Sequence, residues 1–202
     1  MSRRHLSMGS NTWFTSDEHY YHKNICRFTG RPFSSVEEMN RLLIENHNAV
    51  VQPNDHVWHL GDLAFASISK IENLVRQLNG THYLIIGNHD KEIENNMRRL
   101  VETKLFATLD YYKEVTIERQ TICLAHSAYA IWIGKHKGWW NLYGHSHSTF
   151  EPHKQGKQMD VGVDNAAKLV GVYRPLSFKE IKGWMDAVET PILDHHGRKD
   201  NE

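Results

Sequence analysis

Only two cysteines, Cys26 and Cys123, occur among 202 residues, and they form neither a CxxC pair nor a thiolate set. That excludes a disulfide scaffold, a zinc ribbon and dithiol redox chemistry. An excess of one charge sign is missing too, since 24 Lys+Arg balance 24 Asp+Glu. Without a net positive field no counterion-release term drives a purely electrostatic nucleic-acid binder, and no acidic excess keeps the chain disordered. No apolar run reaches the roughly 20 residues that span a bilayer, and no signal-peptide pattern opens the chain. A cytoplasmic protein with no membrane partner is the expectation. Repeats and low-complexity linkers are absent, and the length suits one core rather than two. A single domain over 12–189 follows, with 1–11 and 190–202 as flexible tails. The opening "MSRRHLSMGSN" carries a second methionine, Met8, and no apolar periodicity, which predicts a disordered arm or an artificial extension.

What the chain does have is histidine, 15 in all. Imidazole is the commonest metal ligand and titrates near neutral pH, but most histidines do neither job, so position must decide. Short apolar runs that end in polar clusters recur at 11–19, 55–62, 81–90, 120–126, 139–147 and 157–165, and each reads as a buried strand. Residues 110–118 and 120–126 read as a hairpin. Helical spacing lies between these runs. Ser35 with Glu38 three residues on predicts an N-cap for a helix over 36–51, and Asn79-Gly80 closes one over 68–78. Further helices are predicted over 91–102, 127–135 and 177–187. Strands alternating with helices, then hairpin-like strands, predict an α/β or α+β fold with mixed sheets.

Five of the strand ends carry Asp, His or Asn where a loop begins: Asp17 and His19, Asp62, Asn88 and His89, His126, then His145 and His147. The crevice beyond the carboxyl ends of strands is the usual ligand site of such sheets, so five ends can converge. Oxygen and imidazole donors without thiolate suit Mn, Fe, Ni, Co, Zn or Mg. Two divalent ions about 3.5–4 Å apart need a bridging anion, which a carboxylate can supply and an imidazole cannot. Asp62, in the middle of the set, is the candidate. Taken singly these signals are weak: Gly61-Asp62 is an ordinary turn pair, and His126 alone is more readily a satisfied buried histidine. The ordered recurrence at strand ends carries the weight. Trp132, Trp139 and Trp140 are expected in the core rather than as a base-stacking platform. Lys135, His136 and Lys137 form a local basic patch.

In that order, Asp17-Glu18-His19, Gly61-Asp62, Gly87-Asn88-His89-Asp90, His126 and Gly144-His145-Ser146-His147, the chain resembles the calcineurin-like metallophosphoesterases. Their motifs run D-x-H, G-D, G-N-H-[DE], H and G-H-x-H. "TSDEHYYHKNI", "RPFSSVEEMN", "HLGDLAF" and "VGVD...YRPLS" look like the short single-domain members of bacteria and phages. The resemblance covers Trp13 to about Ile181 and implies a four-layer αββα sandwich, two mixed β-sheets flanked by helices. It implies one metal held by Asp17, His19, Asp62 and His147 and a second held by Asp62, Asn88, His126 and His145. Mn2+ stands first among the two divalent ions. His89 would be the general acid, with Asp90 orienting its ring or capping the next helix; His22, and less so Asn24, would either reach the phosphate or merely pack. The family's small or aromatic residue and proline after the fourth motif are replaced by Ser127-Ala128-Tyr129. The implied reaction is hydrolysis of a phosphodiester of nucleotide, cyclic-nucleotide or nucleic-acid type by a metal-bridging hydroxide. A phosphomonoesterase on the same scaffold is one alternative. A catalytically silent binding module is another, whose mark would be a missing ligand, and none is missing.

Overall fold

Two mixed β-sheets pack face to face in the computed structural model, which describes residues 6–150 and 156–189. The first half of the chain supplies β1 (Leu6–Met8), β2 (Thr12–Thr15), α1 (Ile25–Thr29), α2 (Val36–Val50), β3 (His56–His59), α3 (Ile68–Val75), β4 (Thr81–Ile85), α4 (Lys91–Glu94) and α5 (Met97–Glu102). The second supplies β5 (Leu109–Asp110), β6 (Tyr112–Ile117), β7 (Gln120–Ala125), β8 (Trp140–Tyr143), β9 (Gln158–Asp160), α6 (Val163–Val170), β10 (Leu176–Ser177) and α7 (Phe178–Met185).

One sheet has the order β10-β2-β3-β4-β5 and the other β1-β6-β7-β8-β9. In the first, β2 to β5 run parallel and β10 closes the edge antiparallel. In the second, only the β6–β7 hairpin is antiparallel. Parallel strands covered on both faces are apolar throughout, as "YLII" in and after β4 shows. Phe14, Trp58, Leu60 and Ile85 of the first sheet meet Val115, Ile122, Leu124 and Leu142 of the second in one buried cluster, which Phe178, Ile181 and Met185 of α7 also enter. The other face of the first sheet is covered by α2, α3 and α5, through Met39, Leu43, Ile71, Leu74 and Leu100. Among the described residues no helix is long and apolar enough to cross a membrane.

The helices expected over 36–51, 68–78 and 177–187 form. The Ser35 side chain accepts from the Glu38 N–H, and Ser177 with Glu180 makes a reciprocal capping box on α7. Other expectations need correction. Residues Leu6–Met8, expected in a disordered arm, pair in parallel with Val115–Ile117, and Trp58 Nε1 donates to Met8 Sδ. A three-residue strand held by a remote partner leaves no periodicity to read. The 91–102 helix is two helices divided at Asn95-Asn96. The 157–165 strand ends at Asp160, and the helix α6 begins three residues later. No α-helix forms over 127–135. Instead this segment lies against the second sheet, where the Tyr129 N–H donates to Asn141 Oδ1 and Cys123 Sγ reaches the Ile133 carbonyl. It thus covers a sheet face with irregular chain. Trp132 and Trp140 are core, as expected, and Lys135 is buried with its Nζ donating to the Ala130 carbonyl, so the basic patch shrinks to His136 and Lys137. The expected tail 190–202 lies outside the described residues.

Candidate metal centre

The carboxyl ends of β2, β3 and β4 are neighbours in one sheet, and those of β7 and β8 are neighbours in the other. Backbone bonds join the first of the loops that follow them to the second, and the fourth to the fifth. Asp17 N donates to the Gly61 carbonyl (3.0 Å), His19 N to the Asp62 carbonyl (3.1 Å) and Gly144 N to the His126 carbonyl (2.8 Å). His126 ties the two sheets together, its Nδ1 lying 2.7 Å from the Leu60 carbonyl. Glycine is required where backbone and ligand crowd. A Cβ on Gly144 would overlap Ser16 Oγ and Asp17 Oδ2, and one on Gly87 would overlap Asp62 Oδ1.

Backbone conformation marks the same residues. Asp17 (φ 55°), His19 (51°), Asp62 (57°), His145 (67°) and His147 (45°) all sit in the left-handed region. Asp and His tolerate that region better than most side chains, yet each such residue still costs on the order of 1 kcal/mol. Five together turn their side chains inward from tight loops, which extended strand ends would not do.

Two groups of metal-competent side chains result: Asp17, His19 and His147, and Asp62, His126 and His145, with the ligand atoms of each group within 4.8 Å of one another. Asp62 lies between them. Its Oδ2 is 3.7 Å from His19 Nε2 and its Oδ1 is 3.5 Å from His126 Nε2. Asn88 Oδ1 stands 2.9 Å from both His126 Nε2 and His145 Nδ1. All seven residues predicted as ligands are therefore brought to one place.

The donor set fits cations. Among the described residues, Asp17 Oδ1 and both ring nitrogens of His19 are buried without a hydrogen-bond partner. Each orphan costs about 1–3 kcal/mol, so three in one spot is an arrangement that a positive ion would relieve. Because the Leu60 carbonyl can only accept, the His126 proton sits on Nδ1 and the Nε2 lone pair faces Asn88 and Asp62. Burial, with the negative charges of Asp160 and Asp62 added, pushes the Asp17 carboxyl well above the usual range. Burial, with the neighbouring His147 and Arg31, pulls His19 down to about 2. His126 is lowered by burial against the pull of Asp62. Neutral imidazole is the form that binds metal, and a cation would return Asp17 to carboxylate.

The other predicted residues divide. His89 is exposed on the cleft, its ring centroid 5.9 Å from that of His19, and its N–H donates to Asp62 Oδ1. Asp90 does not turn toward the His89 ring, nor does its side chain cap α4. Both carboxylate oxygens accept backbone N–H groups instead, from Gly87 and Asp62 (2.8 Å each) and Leu63 (3.0 Å). Burial lifts it to about 6 although those bonds oppose the shift. His22 lines the cleft, while Asn24 does not: it occupies the exposed N-terminus of α1, and its N–H donates to His22 Nδ1. None of the three tryptophans lines this cleft, whose volume is about 1010 Å³.

Three supporting residues were not predicted. Asp160 accepts from Ser146 Oγ, Ser148 N and Gly162 N, bracing the loop of His145 and His147. Asp164 Oδ2 stands 2.7 Å from His147 Nδ1, and Arg31, buried, grips Asp164 with two bonds of 2.8 Å. Burial would raise Asp164, but the bonds from Arg31 and His147 hold it at about 2. The only signal in the sequence was that Arg31 opens "RPFSSVEEMN" and Asp164 ends "VGVD".

No protein-family profile matches the chain. It is 47% identical over 81 residues to an uncharacterized protein of Methanocaldococcus jannaschii, covering 39% of this chain and 46% of that one. The chain thus spans less than half the length of this archaeal relative. It is 28% identical over 190 residues to the gene 66 protein of Mycobacterium phage L5, covering 80% of this chain and 90% of the phage protein. Among solved structures, that of a protein of unknown function from Aquifex aeolicus is similar, with a TM-score of 0.66, 23% identity, and coverage of 88% of this chain and 99% of that one. At that identity the likeness speaks to the fold alone.

Proposed function

We propose that this protein is a phosphoesterase of the calcineurin-like metallophosphoesterase type, dependent on two divalent cations and acting on phosphodiesters. The observation that carries the reading is Asp62, whose two oxygens face the two ligand groups separately. One cation would be held by Asp17, His19, Asp62 and His147, the other by Asp62, Asn88, His126 and His145. Bound there, the pair would lower the pKa of bound water toward about 7 and neutralise phosphoryl charge. The fold is read as the two-sheet sandwich of that family, with helices on the outer face of the first sheet and the irregular 127–139 segment in place of a helical layer on that of the second.

The chain's own contributions follow from position. His89 faces the cleft beside Asp62 and holds a proton at a ring nitrogen for the departing alkoxide, an assistance worth most for poor leaving groups. Asp90 acts at one remove, locking the backbone of Asp62 to that of Gly87. His22 stands where it can donate to a phosphoryl oxygen. Retention of His19 in the first motif favours diesters by analogy with the family.

The test is hydrolysis of bis-p-nitrophenyl phosphate against p-nitrophenyl phosphate in Mn2+, with metal analysis of the purified protein. Turnover of the diester that Asp62→Ala abolishes without unfolding supports the reading. Preference for the monoester makes the protein a phosphomonoesterase, and undiminished turnover in Asp62→Ala rejects the site.

A further inference from the structure

We infer that Arg31 and Asp164 are positioning residues that set the tautomer of His147 and hold the Asp17 loop for the cation of that half of the site. The inference rests on the metal-centre part of the proposed function, not on the reaction.

Asp164 lies in the first turn of α6 and is 8% exposed; Arg31 is 4% exposed. The Arg31 guanidinium is used in full. Nε donates to Asp164 Oδ1 and Nη2 to Asp164 Oδ2, Nη2 also to the Asp17 carbonyl (2.6 Å), and Nη1 to the Glu18 carbonyl (2.9 Å) and Met39 Sδ. With both Asp164 oxygens committed as acceptors of Arg31, the only role open to His147 Nδ1, 2.7 Å from Oδ2, is donor. A neutral ring has one N–H, so Nε2 is left with its lone pair on the side where Asp17 and His19 gather. A carboxylate behind a ligating histidine is the usual device for fixing ring and tautomer. Arg31 adds a second function. It ties the successive carbonyls of Asp17 and Glu18, in a loop whose Asp17 and His19 are both left-handed. A lysine could reach one of these acceptors but could not match the planar fork.

Two measurements test this. In metal-free wild-type protein, long-range 1H–15N spectra of the His147 ring, assigned by its absence in His147→Gln, should show the proton on Nδ1. In Mn2+ calorimetry the wild type should bind two ions, and Asp164→Asn and Arg31→Lys should each weaken one step by about 10–100-fold while the other stays within a few-fold. A proton on Nε2 of the wild-type ring overturns the inference, as do two steps that stay unchanged or weaken equally in folded variants. If the variants do not fold, the wild-type spectrum decides alone. Two bound ions without any phosphoester turnover would reject the proposed reaction and leave this inference standing, whereas no Mn2+ binding by the wild type would remove both.

Discussion

Two groups of histidines lie within one short protein and have opposite hydrogen-bond states. His47, His59 and His82 pack beneath α2 and the β3–β4 pair with ring centroids 5.2–6.3 Å apart. Here the ring nitrogens form a chain: His82 Nε2 donates to the Leu78 carbonyl, so its Nδ1 accepts from His59 Nε2, and His59 Nδ1 meets Glu18 Oε1 at 2.7 Å, while Glu18 Oε2 is buried without a partner among the described residues. His47 Nε2 donates to the Asn79 carbonyl. In the cleft, His19 has two buried nitrogens with no partner, and His126 and His147 each spend Nδ1 on the protein and keep Nε2 turned to the carboxylates. The same residue type is therefore structural where both nitrogens are consumed, as in His59 and His82, and ligand-like where one is withheld. Burial does not separate the groups, since His19 is as buried as His82.

Mutation should separate the two histidine groups by their outcomes. His145→Ala should reduce metal-dependent phosphodiester turnover to background and leave the thermal midpoint of metal-free protein nearly unchanged. His82→Leu should do the reverse, because it strands the His59 N–H in the core at a cost of about 1–3 kcal/mol while leaving the cleft intact. Equal losses of turnover and stability in both variants would dissolve the distinction.

The buried histidines also make the fold sensitive to acid. Burial is the main cause that holds His82 at about 3 and His47 at about 4, below the unfolded value of 6.5. Between those values the unfolded chain takes up protons that the fold refuses. Their stability contribution is thus present above pH 6.5 and lost as pH falls through 4 and 3, on the order of several kcal/mol. Urea midpoints of metal-free protein measured from pH 7 to pH 4 should fall accordingly, net of the opposite slope from Asp90, and midpoints that rise on acidification would show that these rings titrate normally.

His89 belongs to neither group, being exposed and held to the site by its backbone N–H, which donates to Asp62 Oδ1. His89→Gln should slow hydrolysis of an alkyl phosphodiester by about 100-fold while affecting a p-nitrophenyl ester much less, because only the poor leaving group needs the proton. Mn2+ stoichiometry should stay at the wild-type value, which separates this role from a ligand's.

The cleft histidines were legible from sequence because their side-chain type and their place at strand ends coincide. His47, His59 and His82 were not, since a buried polar chain is made by contacts between separate elements and leaves no spacing rule. Arg31 and Asp164 escaped for the same reason, their bond joining positions 133 apart. The layered α/β character was legible from the alternation of strand and helix patterns. The 127–135 segment was misread because Ile131 and Ile133 offer apolar residues without a helix's commitments, and Asn141 captures the backbone instead. For Asp90 the sequence left two roles open, and the carboxylate took a third.

That third role yields the smallest expected effect. The Asp90 carboxylate receives the N–H groups of Gly87, Asp62 and Leu63, so it binds the second and third ligand loops to each other. Asp90→Asn replaces one acceptor oxygen by a donor, and the best arrangement keeps oxygen toward Gly87 and Asp62 and leaves the Leu63 N–H facing an NH2 group. A loss of about 1–2 kcal/mol is expected at neutral pH, partly offset because the amide escapes the desolvation that burial imposes on the carboxylate. The pH dependence carries the sharper signal. The folded carboxyl titrates near 6 against 3.8 unfolded, so its contribution is full below 3.8 and is lost as pH rises through 6, opposite in sign to His47 and His82. Removing it takes away the opposing slope. Metal-free Asp90→Asn should therefore lose stability more steeply than the wild type as pH falls from 6 to 4, and a slope equal to the wild type's would mean that Asp90 is already ionised throughout that range.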